Sequence, residues 1–317
     1  MSKQVLILGA TGTIGRATVA ALIDAGHSVR ALVRPGARLL DGDAHLRCLT
    51  GEVTKPGDLD RAMAGVDTVM SCLASRTGQP ADAWAIDHDA HRGILDAAQR
   101  HGVGHMILLS AICVQKPQLA FQQAKLSFEQ ALIASGTGYT IVRATAYLKS
   151  LAGQLDRIRA GKPYLMFGDG TGTACKPISD ADLGRFLART VTDPSMTNQI
   201  LPIGGPGPAL TPRAMAEEMF AQLAMPPRFR QVPVLLLDTL IGGLSLAGRF
   251  NQRAVAAADM ARIGRYYATE SMLVWDGDAA RYAPDATPEF GTQTWADMLA
   301  DLIAGRVSAE RGDHAVF

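Results

Sequence analysis

The sequence predicts an α/β fold: a doubly wound parallel sheet with a smaller, discontinuous second lobe. Three observations carry that reading. Short β-branched runs alternate with helical patterns up to Thr145, a glycine-rich turn joins the first run to the first helical pattern, and the alternation breaks off at a stretch rich in glycine and proline. The 317 residues are 48% hydrophobic and 19% charged, enough apolar material for one large core or two smaller ones. Lys plus Arg number 31 against 30 Asp plus Glu, a net charge of +1, so the basic footprint of a nucleic-acid binder is missing and no such partner is expected. Cys48, Cys72, Cys113 and Cys175 lie far apart with no CxxC pair, which argues against a disulfide framework or a cysteine metal site and fits a reducing compartment.

Val5–Gly9 reads as the first strand. A helix is predicted from about Ile14 to Ala25, with Gly26 at its stop position, and Ser28–Val33 is the second strand. His45–Glu52 gives a third strand, Asp58–Ala64 a short helix, and Asp67–Leu73 a fourth strand whose nearly unbroken apolar run implies burial on both faces. Trp84–His101 is predicted helical, His105–Ala111 a fifth strand, Leu119–Ser135 a helix and Tyr139–Thr145 a sixth strand. Gly161–Pro177 reads as a loop, followed by a short strand before a helix cap at Asp180 and another strand in NQILPIGG. The expected first domain is therefore 1–155, with 174–205 returning to it, and 156–173 with 206–317 form the second lobe. The apolar run Val5–Leu8 is too short for a signal peptide, so export is not expected. The longest apolar stretch, Val232–Gly248, contains Pro233, Asp238 and Thr239 and falls short of the roughly 20 apolar residues of a membrane span. A buried lobe helix is its simpler reading, and contact with a membrane surface is the other.

Gly9-Ala-Thr11-Gly12-Thr13-Ile14-Gly15 follows a strand and opens a helix, the setting in which backbone N–H groups and a helix N-terminus approach a pyrophosphate in a Rossmann-type sheet. At the end of the second strand stands Arg34, where an NAD enzyme places a carboxylate for the adenine ribose. A guanidinium there grips a 2′-phosphate, and a charge-assisted bond of about 1.5 to 3 kcal/mol favours NADPH over NADH roughly ten- to hundredfold; a solvated surface arginine is the competing reading. Val53 is expected beside the adenine. Cys72, Leu73 and Ala74, at the end of the fourth strand, are expected near the nicotinamide ribose, with Cys72 as a small buried hydrophobe rather than a reactive thiol.

A carbonyl-reducing short-chain dehydrogenase carries a serine at the end of the fifth strand and YxxxK on the next helix. Ser110 and Lys125 hold the serine and lysine places and are the catalytic candidates, but Phe121 stands where the tyrosine acid would be. Ketone chemistry through a phenol is thereby disfavoured, and hydride addition to a polarised C=C bond stays open. Lys125 is also expected to bind the nicotinamide ribose; for Ser110 a strand-end hydrogen bond to backbone is the alternative.

Ser71–Gly78, Leu108–Pro117 and Phe121–Glu129, followed by Lys162–Gly170, Ala174–Ser179, Leu201–Pro212 and Ile263–Met272, resemble the divinyl chlorophyllide a 8-vinyl reductase family of NADPH-dependent atypical short-chain dehydrogenases. The likeness runs over nearly the whole chain and includes the phenylalanine in place of tyrosine. It implies reduction of the 8-vinyl group of a magnesium porphyrinoid to ethyl in chlorophyll or bacteriochlorophyll synthesis. A flat macrocycle needs an apolar slot, for which Cys113, Phe121, Tyr147, Met166, Phe167, Tyr266, Tyr267 and Met272 are the candidate substrate contacts. The proton is left to Lys125, Cys113, Tyr147 or water. His88 and His91 read as surface histidines rather than ligands of the substrate's magnesium, and Asp169 reads as a turn residue, so no protein metal site is expected. Plant members carry a transit extension, whereas this chain starts almost at its first strand. A bacterial cytoplasmic form, at most peripheral to a photosynthetic membrane, is expected. Two rivals stay open: a non-catalytic NADPH sensor, and an isoflavone-reductase-like enzyme acting on a smaller conjugated alkene.

Overall fold

The computed structural model describes residues 2–37, 39 and 43–308, so residues 1, 38 and 40–42 of the expected first domain and 309–317 of the expected second lobe lie outside the described residues. The chain divides into two compact units. The first comprises Met1–Arg76, Pro80–Ala144 and Asp180–Ile203, and the second Thr77–Gln79, Thr145–Ser179 and Gly204–Phe317.

The first unit opens with β1 (Gln4–Leu8), α1 (Thr13–Asp24), β2 (Ser28–Val33), β3 (Leu46–Thr50), α2 (Pro56–Met63) and β4 (Thr68–Ser71). It continues through α3 (Pro80–Ala83), a π-helical segment Trp84–Ala90, α4 (His91–Arg100), β5 (His105–Ala111), a 3-10 turn Ile112–Gln115, α5 (Ala120–Ala134) and β6 (Gly138–Ala144). The second unit then takes α6 (Leu148–Leu151), α7 (Leu155–Arg159) and β7 (Tyr164–Phe167). The chain returns to the first unit as α8 (Asp180–Arg189) and β8 (Gln199–Ile203). The second unit resumes with α9 (Pro212–Gln222), β9 (Phe229–Val232), α10 (Val234–Ala247), α11 (Gln252–Thr269), β10 (Val274–Asp276), β11 (Arg281–Ala283) and α12 (Trp295–Ile303).

Seven strands of the first unit form one parallel sheet in the order β3-β2-β1-β4-β5-β6-β8. Helices cover both faces, so Val5 to Leu8 of β1 are fully buried, as the unbroken apolar runs require. Strand order reverses between β1 and β4, and the carboxyl ends of those two strands mark the crevice where such sheets receive ligands. The returning segment is packed tightly against the first: a Cβ on Gly184 of α8 would lie 2.7 Å from the backbone carbonyl of Ala17 in α1. Only glycine permits that approach of two helix backbones.

Three local expectations are corrected. The helix expected at Trp84 begins at Pro80 and passes through the π-helical segment before α4. Gly161–Pro177 is not all loop, because Tyr164–Phe167 pairs in parallel with Phe229–Val232 in the second unit. The strand expected before Asp180 is reduced to single bridges, Cys175 with Leu210 and Met272, and Ile178 with Tyr147. Pro177 removes one ladder donor in its middle.

Candidate functional site

The glycine turn is built by close backbone approach. Gly9 has φ +76°, and a Cβ there would lie 2.7 Å from the Cys72 carbonyl group and 2.9 Å from Leu73 N. A Cβ on Gly15 would lie 2.1 Å from Gly9 O, so α1 starts hard against the end of β1 only because that position is glycine. Gly12 N–H donates to Gly9 O at 3.1 Å, and among the described residues no side chain caps α1, whose first turn carries no acidic residue. Its leading N–H groups, at Thr13, Ile14 and Gly15, are left for an anion. A dinucleotide's pyrophosphate therefore fits the cradle in both space and charge. Arg16, which the sequence reading did not single out, donates from Nε to Thr11 O at 2.9 Å and sets a cation beside the turn.

Arg34 follows β2 directly and is exposed. Val53 is half-buried against the core that also holds Leu49 and Leu73. Cys72, Leu73 and Ala74 leave β4 half-buried, and burial pushes the Cys72 thiol up to about 12, which fits an inert small hydrophobe.

Beyond β4 lies a polar cluster that the sequence reading missed. Ser71 Oγ is 2.8 Å from His91 Nε2 and accepts from Leu73 N at 3.3 Å. His91 Nδ1 lies 2.7 Å from Ile86 O, a partner that can only accept, so Nδ1 carries the proton and Nε2 accepts from Ser71. His91 is 1% exposed, and its pKa is lowered to about 4, first by burial and then by Lys125. It is not the surface histidine expected; His88, half-buried, pairs with Asp89 at 2.7 Å.

Asp87, in the π-helical segment, is 1% exposed and accepts through Oδ1 from Lys125 Nζ at 2.8 Å and from Ser75 N at 3.2 Å. Its other oxygen, Oδ2, is buried with no hydrogen-bond partner among the described residues. Burial works against its charge, but the Lys125 ammonium and the hydrogen bonds hold its carboxyl below the usual range. Lys125, on α5, is therefore a preset cation tied to the loop that leaves β4. The signal for this cluster was present: Asp87, His91, Ile94, Leu95 and Ala98 follow helical spacing, so both polar residues fall on the stripe that the buried aliphatics define.

Ser110 is 3% exposed and donates not to backbone but to the buried carboxylate of Glu129, which Arg143 grips from β6. In this arrangement its hydroxyl proton is committed to Glu129. Cys113 is buried, and its thiol is pushed up to about 11. Phe121 is half-buried on the first turn of α5, one turn before Lys125.

The other six expected substrate contacts belong to the second unit. Tyr147 caps α6 and is half-buried, and Phe167 is half-buried on β7. Met166, Tyr266 and Met272 are 3%, 3% and 8% exposed, which fits core packing at least as well as ligand contact. Tyr266 and Tyr267 meet edge to face at 5.7 Å. Asp169 forms a turn, accepting from Thr171 N at 2.9 Å. Among the described residues no cluster of His, Cys, Asp and Glu could hold a metal ion.

A family model described as NAD(P)H-binding matches residues 9–194. The chain is 42% identical to the chloroplastic divinyl chlorophyllide a 8-vinyl-reductase of Cucumis sativus, over 99% of this chain and 80% of that protein. It is 43% identical to the protein of the same name from Arabidopsis thaliana, over 98% of this chain and 79% of that protein. Among solved structures an isoflavone reductase superposes with a TM-score of 0.66 at 21% identity, covering 94% of this chain and 99% of that one, a likeness of fold.

Proposed function

The chain belongs to the divinyl chlorophyllide a 8-vinyl-reductase family, and from that premise we propose how its residues carry the reaction. The protein is an NADPH-dependent reductase of a C=C bond, converting the 8-vinyl group of divinyl chlorophyllide or protochlorophyllide to ethyl in chlorophyll or bacteriochlorophyll synthesis. The observation that carries this reading is identity above 40% to reductases of that name over nearly the whole chain.

NADPH, when bound, supplies the hydride that the conjugated macrocycle accepts at its vinyl group. The chain's part is to bind, orient and protonate. Gly9, Thr11, Gly12, Thr13, Ile14 and Gly15 hold the pyrophosphate with backbone N–H groups and a helix N-terminus. Arg34 meets the 2′-phosphate, and Val53 borders the adenine. Cys72, Leu73 and Ala74 line the ribose on the nicotinamide side, where Lys125 donates to its hydroxyls. Asp87 aims Lys125, because its buried carboxylate accepts from the Lys125 ammonium at 2.8 Å. Burial makes the Cys113 thiol a poor acid, so the proton comes from Lys125, Tyr147 or water. Phe121 has no proton to give and serves as an apolar wall. Ser110, bonded to Glu129, fixes the end of β5 against α5 and acts as a positioning residue.

Cys113, Phe121, Tyr147, Met166, Phe167, Tyr266, Tyr267 and Met272 are the residues we assign to contact with the macrocycle. We take the protein to work in the bacterial cytoplasm. Incubation with NADPH and divinyl chlorophyllide, followed by chromatography and mass spectrometry, tests the reaction. A pigment heavier by two hydrogens, formed only with NADPH, is expected; an unchanged pigment in a sample shown to bind NADPH would overturn it.

A further inference from the structure

Helix α10 has two apolar faces, and only one is covered. Val234, Leu237, Ile241 and Leu244 are half-buried, and α10 packs along α11. On the other side Leu235, Leu236, Leu240 and Leu246 are 70%, 59%, 50% and 60% exposed, and the stripe runs on through Gly243 and Ala247 to Phe250, 92% exposed at the turn into α11. No residue of α10 is fully buried. The buried lobe helix expected from the sequence is therefore an exposed one. At helical spacing these positions share one continuous face.

The polar groups nearby are arranged so that this face stays free of charge. Asp238, the only charged residue of α10, is paired with Arg265 of α11. The Thr239 hydroxyl donates to Leu236 O of its own helix at 2.9 Å. Ser245 accepts from Arg262 of α11 at 2.8 Å. Cations stand at one end: Arg249 and Arg253 are exposed on either side of Phe250.

We propose that the α10–α11 hairpin docks on an anionic lipid surface. Helix α10 lies in the plane of the interface, its leucines and Phe250 enter the headgroup–acyl boundary, and Arg249 and Arg253 meet lipid phosphates. Helix length agrees with lying rather than crossing: 14 residues span about 21 Å, against about 30 Å of hydrocarbon. Among the described residues no helix is long and apolar enough to cross a membrane. Lipid is favoured over a protein partner because a specific protein interface carries about one hydrogen bond per 100–200 Å², whereas this face is leucine and phenylalanine with one hydroxyl, Thr239, whose proton is bonded within its own helix, and its cations stand together at one end. The inference rests on this face and its flanking cations and stands apart from the pigment reading.

The full chain is mixed with phosphatidylcholine vesicles containing or lacking phosphatidylglycerol and floated on a density gradient. The wild-type protein is expected to float with the anionic vesicles. The double variant Leu240→Asp, Phe250→Glu is expected to stay at the bottom while still binding NADPH, which shows that it folds. Arg249→Glu with Arg253→Glu is expected to weaken recovery roughly tenfold on phosphatidylglycerol vesicles and to leave NADPH binding unchanged. The proposal is overturned if wild-type protein fails to float, if the leucine–phenylalanine variant floats equally well, or if size-exclusion shows a wild-type dimer that this variant converts to monomer, since the face would then serve a second copy. Pigment turnover in the same samples keeps the two readings apart: turnover without flotation sinks only the lipid surface, and flotation without turnover sinks only the pigment.

Discussion

At the exit of β4 the cation Lys125 is held by a buried carboxylate that is itself tied to backbone, whereas at the exit of β2 the cation Arg34 stands in solvent. Both are assigned to the same cofactor, and the difference separates two jobs. A side chain fixed before the ligand arrives loses little freedom on binding and can define geometry at the reacting end. One that is ordered only by its ligand selects which ligand binds, and tolerates imprecision because a phosphate is a large, symmetric target.

The widest break of this contrast comes from the buried side. Lys125→Ala is expected to lower kcat/KM for NADPH about a hundredfold or more, since it removes a preset contact at the reacting end. Asp87→Asn is expected to keep the acceptor but lose the charge that holds Lys125 in place, so that kcat/KM for NADPH falls, though by less than in Lys125→Ala. Steady-state kinetics of the two variants check this, and a kcat/KM in Asp87→Asn equal to that of the wild type would remove the positioning role. At the exposed side Arg34→Glu is expected to shift the preference from NADPH towards NADH roughly ten- to hundredfold, with little change in stability, as competitive titration of the two cofactors would read out.

The effect expected from His91 is absent at neutral pH and appears only in acid. Its folded pKa, about 4, lies below its ordinary 6.5, so as pH falls below 6.5 the unfolded chain takes a proton that the folded chain refuses. Stability is then lost at up to about 1.4 kcal/mol per pH unit until about pH 4. Urea unfolding of His91→Gln between pH 7 and 4 should lack this slope; an identical slope in both proteins would place it elsewhere.

The exposed end of this contrast was legible in the sequence, and the buried end was not. Strand-turn-helix context identified Gly9 to Gly15, and strand spacing placed Arg34, because both depend on neighbours within a few residues. Lys125 was legible as a residue, but its partner was not: Asp87 lies 38 residues earlier, and the contact exists only because the π-helical segment packs against α5. Ser110 shows the same limit. Its position at the end of β5 followed from alternation, while its bond to Glu129 requires knowing which face of α5 turns inward. For α10 local pattern misled, because leucines at every helical angle read as burial and the chain leaves one side of them in solvent.

The approach of Gly184 to Ala17 bears on how the chain is made. Residues up to Ala144 contain every residue assigned above to NADPH, yet they lack the helix that covers α1 and the strand that pairs with β6. During synthesis the nascent polypeptide thus carries a nucleotide turn whose supporting helix has no cover until the ribosome has passed the whole excursion from Thr145 to Ser179 and delivered α8. The long-range closure couples the two ends of the first unit, so completion of the cofactor cradle and completion of the intervening segment are one event in the life of the chain.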